Sequence, residues 1–129
     1  MSDKVYYDPF LLQIYNKVPS FDAVRVISLE FKCREFVFAH IVCVMKEFPQ
    51  NPPRHWAKFN QLSLVLRAGV VRSIDVRRVG MYDVPSDIRF LEHDDCVDVH
   101  IVGGVEAVVR ANDVFVGDLS PYAVVDPYR

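Results

Sequence analysis

The stretch Asn60-Gln61-Leu62-Ser63-Leu64-Val65-Leu66-Arg67-Ala68-Gly69-Val70-Val71-Arg72-Ser73-Ile74-Asp75-Val76-Arg77-Arg78-Val79 decides the fold class. Leu62, Leu64 and Leu66 alternate with Ser63, Val65 and Arg67. Further on, Val70, Arg72, Ile74, Val76 and Arg78 alternate with Ser73, Asp75 and Arg77. A period of two sends successive side chains to opposite faces, so both runs are strands. Ala68-Gly69 lies between them where a turn would fall, and the stretch reads as a hairpin over residues 60–79.

The same signal continues on both sides. Downstream, residues 80–86 read as a turn. Ile88 and Phe90 open a short strand that ends in Glu92-His93-Asp94-Asp95. Val97, Val99 and Ile101 alternate with Asp98 and His100, Gly103-Gly104 sits where a tight hairpin turn would, and Val105, Ala107 and Val109 return. Asn112-Asp113 reads as one more turn, into Val114-Phe115-Val116, and residues 119–129, with two prolines, read as a surface tail.

Upstream, Phe36, Val37, Phe38, Ala39, Ile41, Val42, Cys43 and Val44 form a nearly unbroken apolar run, rich in β-branched and aromatic residues. That composition favours a central strand buried on both faces, with His40 as a hydrogen-bonded core residue. Before it, Ile27, Leu29, Phe31 and Cys33 alternate with Ser28, Glu30 and Lys32, while Val24 and Val26 occupy the opposite phase. The slip at Val26-Ile27 marks a bulge or a doubly covered stretch. Residues 9–16 carry an apolar stripe of Phe10, Leu11, Ile14 and Tyr15. Asp8 offers an N-cap, Pro9 suits the first helical position, and Pro19 stops the helix. Residues 46–58 hold three prolines and read as an exposed loop.

Seven to eight short strands behind one short helix, with no helix-length crossovers, give a mainly β (α+β) fold. The expected architecture is an antiparallel meander sheet or a partly closed barrel, in a single domain over residues 1–129. The chain is 51% hydrophobic and 25% charged, which suits a globular core and excludes a disordered segment.

Bulk properties narrow the function. The net charge is −2 and the densest basic stretch, Arg72, Arg77 and Arg78, has Asp75 in its midst, so nucleic acid is not the expected partner. No apolar stretch reaches the ~18 residues of a membrane span and no basic leader precedes an apolar core, so the expected location is cytoplasmic, without a membrane partner. Cys33, Cys43 and Cys96 have no redox or zinc spacing and suit a reducing compartment, with Cys33 and Cys43 as small hydrophobes in apolar runs.

No catalytic constellation emerges. The serines lack a nucleophile elbow. His40 and Cys43, three apart on one strand, point to opposite faces. Gly103-Gly104 has no phosphate-loop context. His93, Asp94, Asp95, Cys96, Asp98 and His100 lie within eight residues, and Asp94, Cys96, Asp98 and His100 share one strand face that could form a metal ligand set, yet a solvated turn followed by the polar face of a strand explains them equally well. The expectation is no enzyme, no metal and no cofactor. Two exposed clusters suit a protein partner: the acidic turn Glu92, His93, Asp94 and Asp95, and the loop residues Arg54, His55 and Trp56, which have the residue mix of a binding hot spot. Trp56 reads alternatively as a cover over the sheet end.

Three motifs carry a family resemblance. Val18-Pro19-Ser20-Phe21-Asp22-Ala23-Val24-Arg25-Val26-Ile27-Ser28-Leu29-Glu30-Phe31 resembles the opening of a family of small bacterial immunity proteins from polymorphic toxin systems, although Asp22 and Ala23 stand where that family commonly carries a histidine. Asn60-Gln61-Leu62-Ser63-Leu64-Val65-Leu66 with Gly69-Val70-Val71-Arg72-Ser73-Ile74-Asp75-Val76 is similar to its hairpin. Leu119-Ser120-Pro121-Tyr122 is similar to its close. The resemblance spans residues 10–122. It implies stoichiometric neutralisation of a cognate toxin domain in the cytosol, with no active site. From the residues alone, a small-ligand-binding β-barrel and a structural subunit of a homo-oligomeric assembly stand as alternatives, and monomer and dimer are both open.

Overall fold

The computed structural model describes residues 3–80 and 83–124. The elements run β1 (Val5–Tyr7), α1 (Pro9–Tyr15), β2 (Arg25–Cys33), β3 (Val37–Val44), β4 (Gln61–Arg78), β5 (Ser86–Glu92), β6 (Val97–Gly103) and β7 (Glu106–Tyr122). Six strands form an open sheet in the order β2-β3-β4-β7-β6-β5, every pair antiparallel, and β1 adds parallel to β7. Two meanders, β2-β3-β4 and β5-β6-β7, therefore meet along the two longest strands. Just ahead of β2 the chain meets β5: Val24 and Ser86 exchange both backbone hydrogen bonds, at 2.9 and 2.8 Å, and the Ile88 amide donates to the Phe21 carbonyl at 3.0 Å.

The main correction to the sequence reading concerns the turns. Residues 60–79 are not a hairpin, because β4 runs straight through Ala68-Gly69, and β7 likewise runs through Asn112-Asp113. The two misread signals face each other, since Gly69 pairs with Asp113 in the β4–β7 ladder. A Cβ on Gly69 would lie 2.8 Å from Asp113 Oδ1, so the glycine is there for close approach across the ladder. Next to it Val70 adopts φ +52°, and the register shifts between Val71 and Ser73. The turn-type residues thus mark a close cross-strand approach beside an irregularity of the ladder. The expected surface tail is likewise strand as far as Tyr122. Residues 81 and 82 of the expected turn at 80–86, and the last five of the tail, 125–129, lie outside the described residues.

Helix α1 forms as read. Asp8 accepts a hydrogen bond from the Phe10 amide at 3.0 Å, Pro9 opens the helix, and Asn16 ends it in the left-handed conformation, φ +61°. Asp8→Ala is expected to cost about 1 kcal/mol, read as a shifted urea midpoint at unchanged slope. Two turns of helix are stable only when docked. Leu11, Ile14 and Tyr15 are buried against the inner face of the sheet, in one core with Ile41, Leu62, Leu64, Leu66, Val109, Val114 and Val116. The bulge in β2 is present, with a register shift between Val26 and Ser28.

Strand β3 is not buried on both faces. Ala39, Ile41 and Cys43 are fully buried in the packed core, but Phe36 is 53% and Phe38 37% exposed, and His40 is half-buried on the outer side. A sheet with one covered face leaves the alternate residues outside whatever their polarity. Burial pushes the Cys43 thiol up to about 12, so it behaves as an inert hydrophobe. Cys33, expected to be similar, is exposed.

Candidate protein-binding surface

The acidic turn follows directly from β5. Glu92, His93, Asp94 and Asp95 are all exposed, while Cys96 beyond them is buried. The turn closes through the His93 amide, which donates to the Cys96 carbonyl at 2.8 Å. Two arginines on neighbouring strands hold it from outside. Arg72 of β4 donates to the Asp95 carboxylate at 3.0 Å and to the Asp95 carbonyl at 2.8 Å, and to Asn112 Oδ1 at 2.9 Å. The Arg72 guanidinium holds the Asp95 carboxyl below its ordinary range.

The second anchor is Asp98 of β6. The sequence reading put it on a wet face, but it is 5% exposed. Arg110 of β7, directly opposite in the ladder, covers it with a bidentate pair, Nε to Oδ1 at 2.7 Å and Nη2 to Oδ2 at 2.9 Å. His93 Nε2 lies 2.9 Å from the same Oδ2. The Arg110 guanidinium holds the Asp98 carboxyl down at about 2, against burial, which pushes it up; His93 adds to the lowering. The fork geometry of arginine suits a carboxylate that must be both buried and charged. Among the described residues no group of three or more His, Cys, Asp or Glu side chains is placed to hold a metal ion.

This network divides the acidic turn. His93 and Asp95 are tied to the sheet, whereas Asp94 projects with no ion pair to another described residue.

The second expected cluster is split by burial. Arg54–Trp56 is a single 3-10 turn in the loop between β3 and β4. Arg54 and His55 are exposed, but Trp56 is 7% exposed and belongs to the core. Its ring meets Phe10 edge-on at 5.7 Å and Phe48 at 6.3 Å. Trp56 therefore covers the sheet end over α1 and is not an exposed anchor. Of the two clusters, the acidic turn is anchored on β4, β6 and β7, whereas the Arg54–Trp56 turn packs on α1.

A third set was not visible from the sequence. On the outer face one cross-strand row runs Glu30 (β2), His40 (β3), Arg67 (β4), Phe115 (β7) and Tyr6 (β1), each paired with the next. Phe115 is 38% and Tyr6 50% exposed, and the exposed rings of Phe36 and Phe38 meet edge-on at 6.4 Å beside the row. Arg67 is ion-paired with Asp118. The Phe115 ring lies over Gly117, where a Cβ would come within 2.5 Å of it. The signal that could have revealed this face is the alternate phase of β3, Phe36, Phe38 and His40. The continuous apolar run concealed it.

Exposed aromatics beside arginine, ringed by charge, make up the residue mix of a protein-binding surface rather than of a catalytic cleft. No helix among the described residues is long and apolar enough to cross a membrane. No curated protein and no solved structure matches the chain. The family Immunity protein 50 matches residues 10–122, the same span over which the resemblance was read. With most of its length inside that match, the chain belongs to the Immunity protein 50 family.

Proposed function

We propose that this protein neutralises a cognate toxin domain by stoichiometric binding in the cytosol of the cell that makes the toxin, as part of a polymorphic toxin system. The family match over residues 10–122 carries this reading. The outer face supports it, because it offers aromatic and arginine anchors on a rigid sheet rather than a cleft with convergent nucleophile and base. Neutralisation of this kind needs tight binding and no chemistry of its own.

In this reading the contact surface is the outer row together with the acidic turn, with Arg54 and His55 as a flanking contact. The fixed residues give the surface its shape, and Asp94 gives it long-range charge. Charge complementarity acts mainly on the association rate. Asp94→Lys is expected to slow association with a basic toxin domain by about tenfold at low salt while leaving the melting temperature within a few degrees. Stopped-flow or surface-based kinetics checks this, and a rate unchanged by salt and by the substitution would remove the turn from the interface. Asp95→Lys is the less clean variant, because it also breaks the Arg72 anchor.

The deciding experiment is growth rescue. The C-terminal domain of the protein encoded immediately upstream is expressed with and without this chain. Arrest relieved only by co-expression supports neutralisation, and arrest that this chain does not relieve removes that toxin as the cognate partner.

A further inference from the structure

Strand β2 ends the sheet, and beyond the single bridge at Val24 its outer edge has no strand partner among the described residues. An open edge presents unpaired amides and carbonyls to any extended chain, and proteins usually blunt it with charge. Here the outer-face charges along the edge are Glu30 and Lys32, both exposed, and neither forms an ion pair with another described residue. On the other face the strand presents Leu29, Phe31 and Cys33, opposite Ile41, Ala39 and Val37 of β3. Phe31 is 40% exposed, and Ile27, at the bulge, is 46% exposed. Ile27, Leu29 and Phe31 line an apolar groove of about 410 Å³ together with Val76 and Val79. Helix α1 packs into the core on the inner face and does not line this groove.

We propose that this edge pairs with the same edge of a second copy of the chain, antiparallel about a two-fold axis through Phe31. The charge pattern selects both the partner and the register. Side chains alternate along a strand, so a pairing that keeps the apolar face continuous must shift in steps of two. Centred on Glu30, the pairing would set glutamate against glutamate, and centred on Lys32 it would set lysine against lysine. Centred on Leu29, it would set Lys32 against Val26, which is buried behind the bulge. Centred on Phe31, Glu30 of each copy faces Lys32 of the other, twice, while Leu29 faces Cys33 and the two Phe31 rings meet over the apolar groove. The alternation of opposite charges thus closes the neighbouring registers and leaves one self-complementary pairing open, as an isologous interface requires. One edge strand and a shallow groove make a small interface, so the dimer is a dissociable one.

Analytical ultracentrifugation of the purified full chain in reducing buffer, from micromolar to millimolar, tests this. The wild type is expected to show a monomer–dimer equilibrium. Glu30→Lys and Lys32→Glu each turn both ion pairs into like-charge pairs and are expected to weaken the dimer roughly tenfold or more. The double variant Glu30→Lys/Lys32→Glu is expected to dimerise like wild type. An equimolar mixture of the two single variants is expected to form the heterodimer, with all four charges again paired. Rescue in the double variant and in the mixture excludes misfolding as the cause of the single-variant loss. A wild type that stays monomeric throughout overturns the proposal, as does a dimer indifferent to these reversals.

Discussion

Leu66→Ala is expected to lower the stability by about 3 kcal/mol and the melting temperature by roughly 10–15 °C. Leu66 is fully buried on the inner face of β4, flanked in register by Ile41 of β3 and Val116 of β7. Both neighbours are themselves fully buried, so they have no solvent-side slack with which to fill the space left behind. The loss therefore combines the transfer free energy of the deleted carbons with a cavity term. A domain of this size has a total stability on the order of 10 kcal/mol, so the variant folds at room temperature but melts early. Urea denaturation and calorimetry check the magnitude. A loss below about 1 kcal/mol would mean that the seam between the two meanders relaxes, contrary to the packing described.

The second large effect is at Asp98. Asp98→Ala removes a buried acceptor from Arg110 and His93 together. Breaking a fully buried ion pair costs about 3–5 kcal/mol. The Arg110 side chain is 45% exposed and can rehydrate, so about 2 kcal/mol is expected. Acid titration gives an independent readout. The folded carboxyl sits near 2 against 3.8 in its ordinary state, so the unfolded chain binds this proton more readily. The stabilisation is complete above about pH 4 and is lost as the pH falls towards 2. Asp98→Asn lacks that dependence, so the gap between wild type and variant is expected to close over this window. A gap that stays constant down to pH 2 would show that the Arg110 pair contributes nothing to stability.

Much of the fold was legible because a half-buried strand writes its geometry directly into alternation. The helix with its Asp8 cap, the bulge after Val26, and strands β5 and β6 all came from local signals that tertiary contacts did not override. The failures share one cause. Gly69 and Asp113 are turn residues by composition, but here they pair directly across the ladder, where the glycine makes room for the Asp113 side chain. That pairing lies 44 positions apart in the chain and leaves no local trace. The outer row was hidden similarly, since Tyr6, Arg67 and Phe115 become neighbours only through the β1–β7 and β4–β7 registers. The acidic turn was found because its residues are contiguous. Trp56 kept two readings, exposed anchor and cover over the sheet end, because nothing local distinguishes an aromatic that turns inward from one that faces a partner, and its burial gives the second.

Strand β7 is the hub of the sheet, with β4 along one side and β6 and β1 sharing the other. Among the described strands it is also the last to leave the ribosome, whereas β1 is the first. The N-terminal strand pairs through Val114, Phe115 and Val116, and Asp8, the helix cap, donates its amide to the Val116 carbonyl at 2.9 Å. During synthesis the β1 pairing therefore waits until those residues emerge, and the loop to be closed spans residues 8–113. The Tyr6 end of the outer row, which needs both Tyr6 and Phe115, comes into being only when that loop closes. A nascent chain halted before Val114 can pair Glu106–Asp113 with the second half of β4, but it lacks the residues that hold β1 and the Val65–Ala68 stretch of β4, so the row from His40 to Tyr6 cannot assemble until they have emerged.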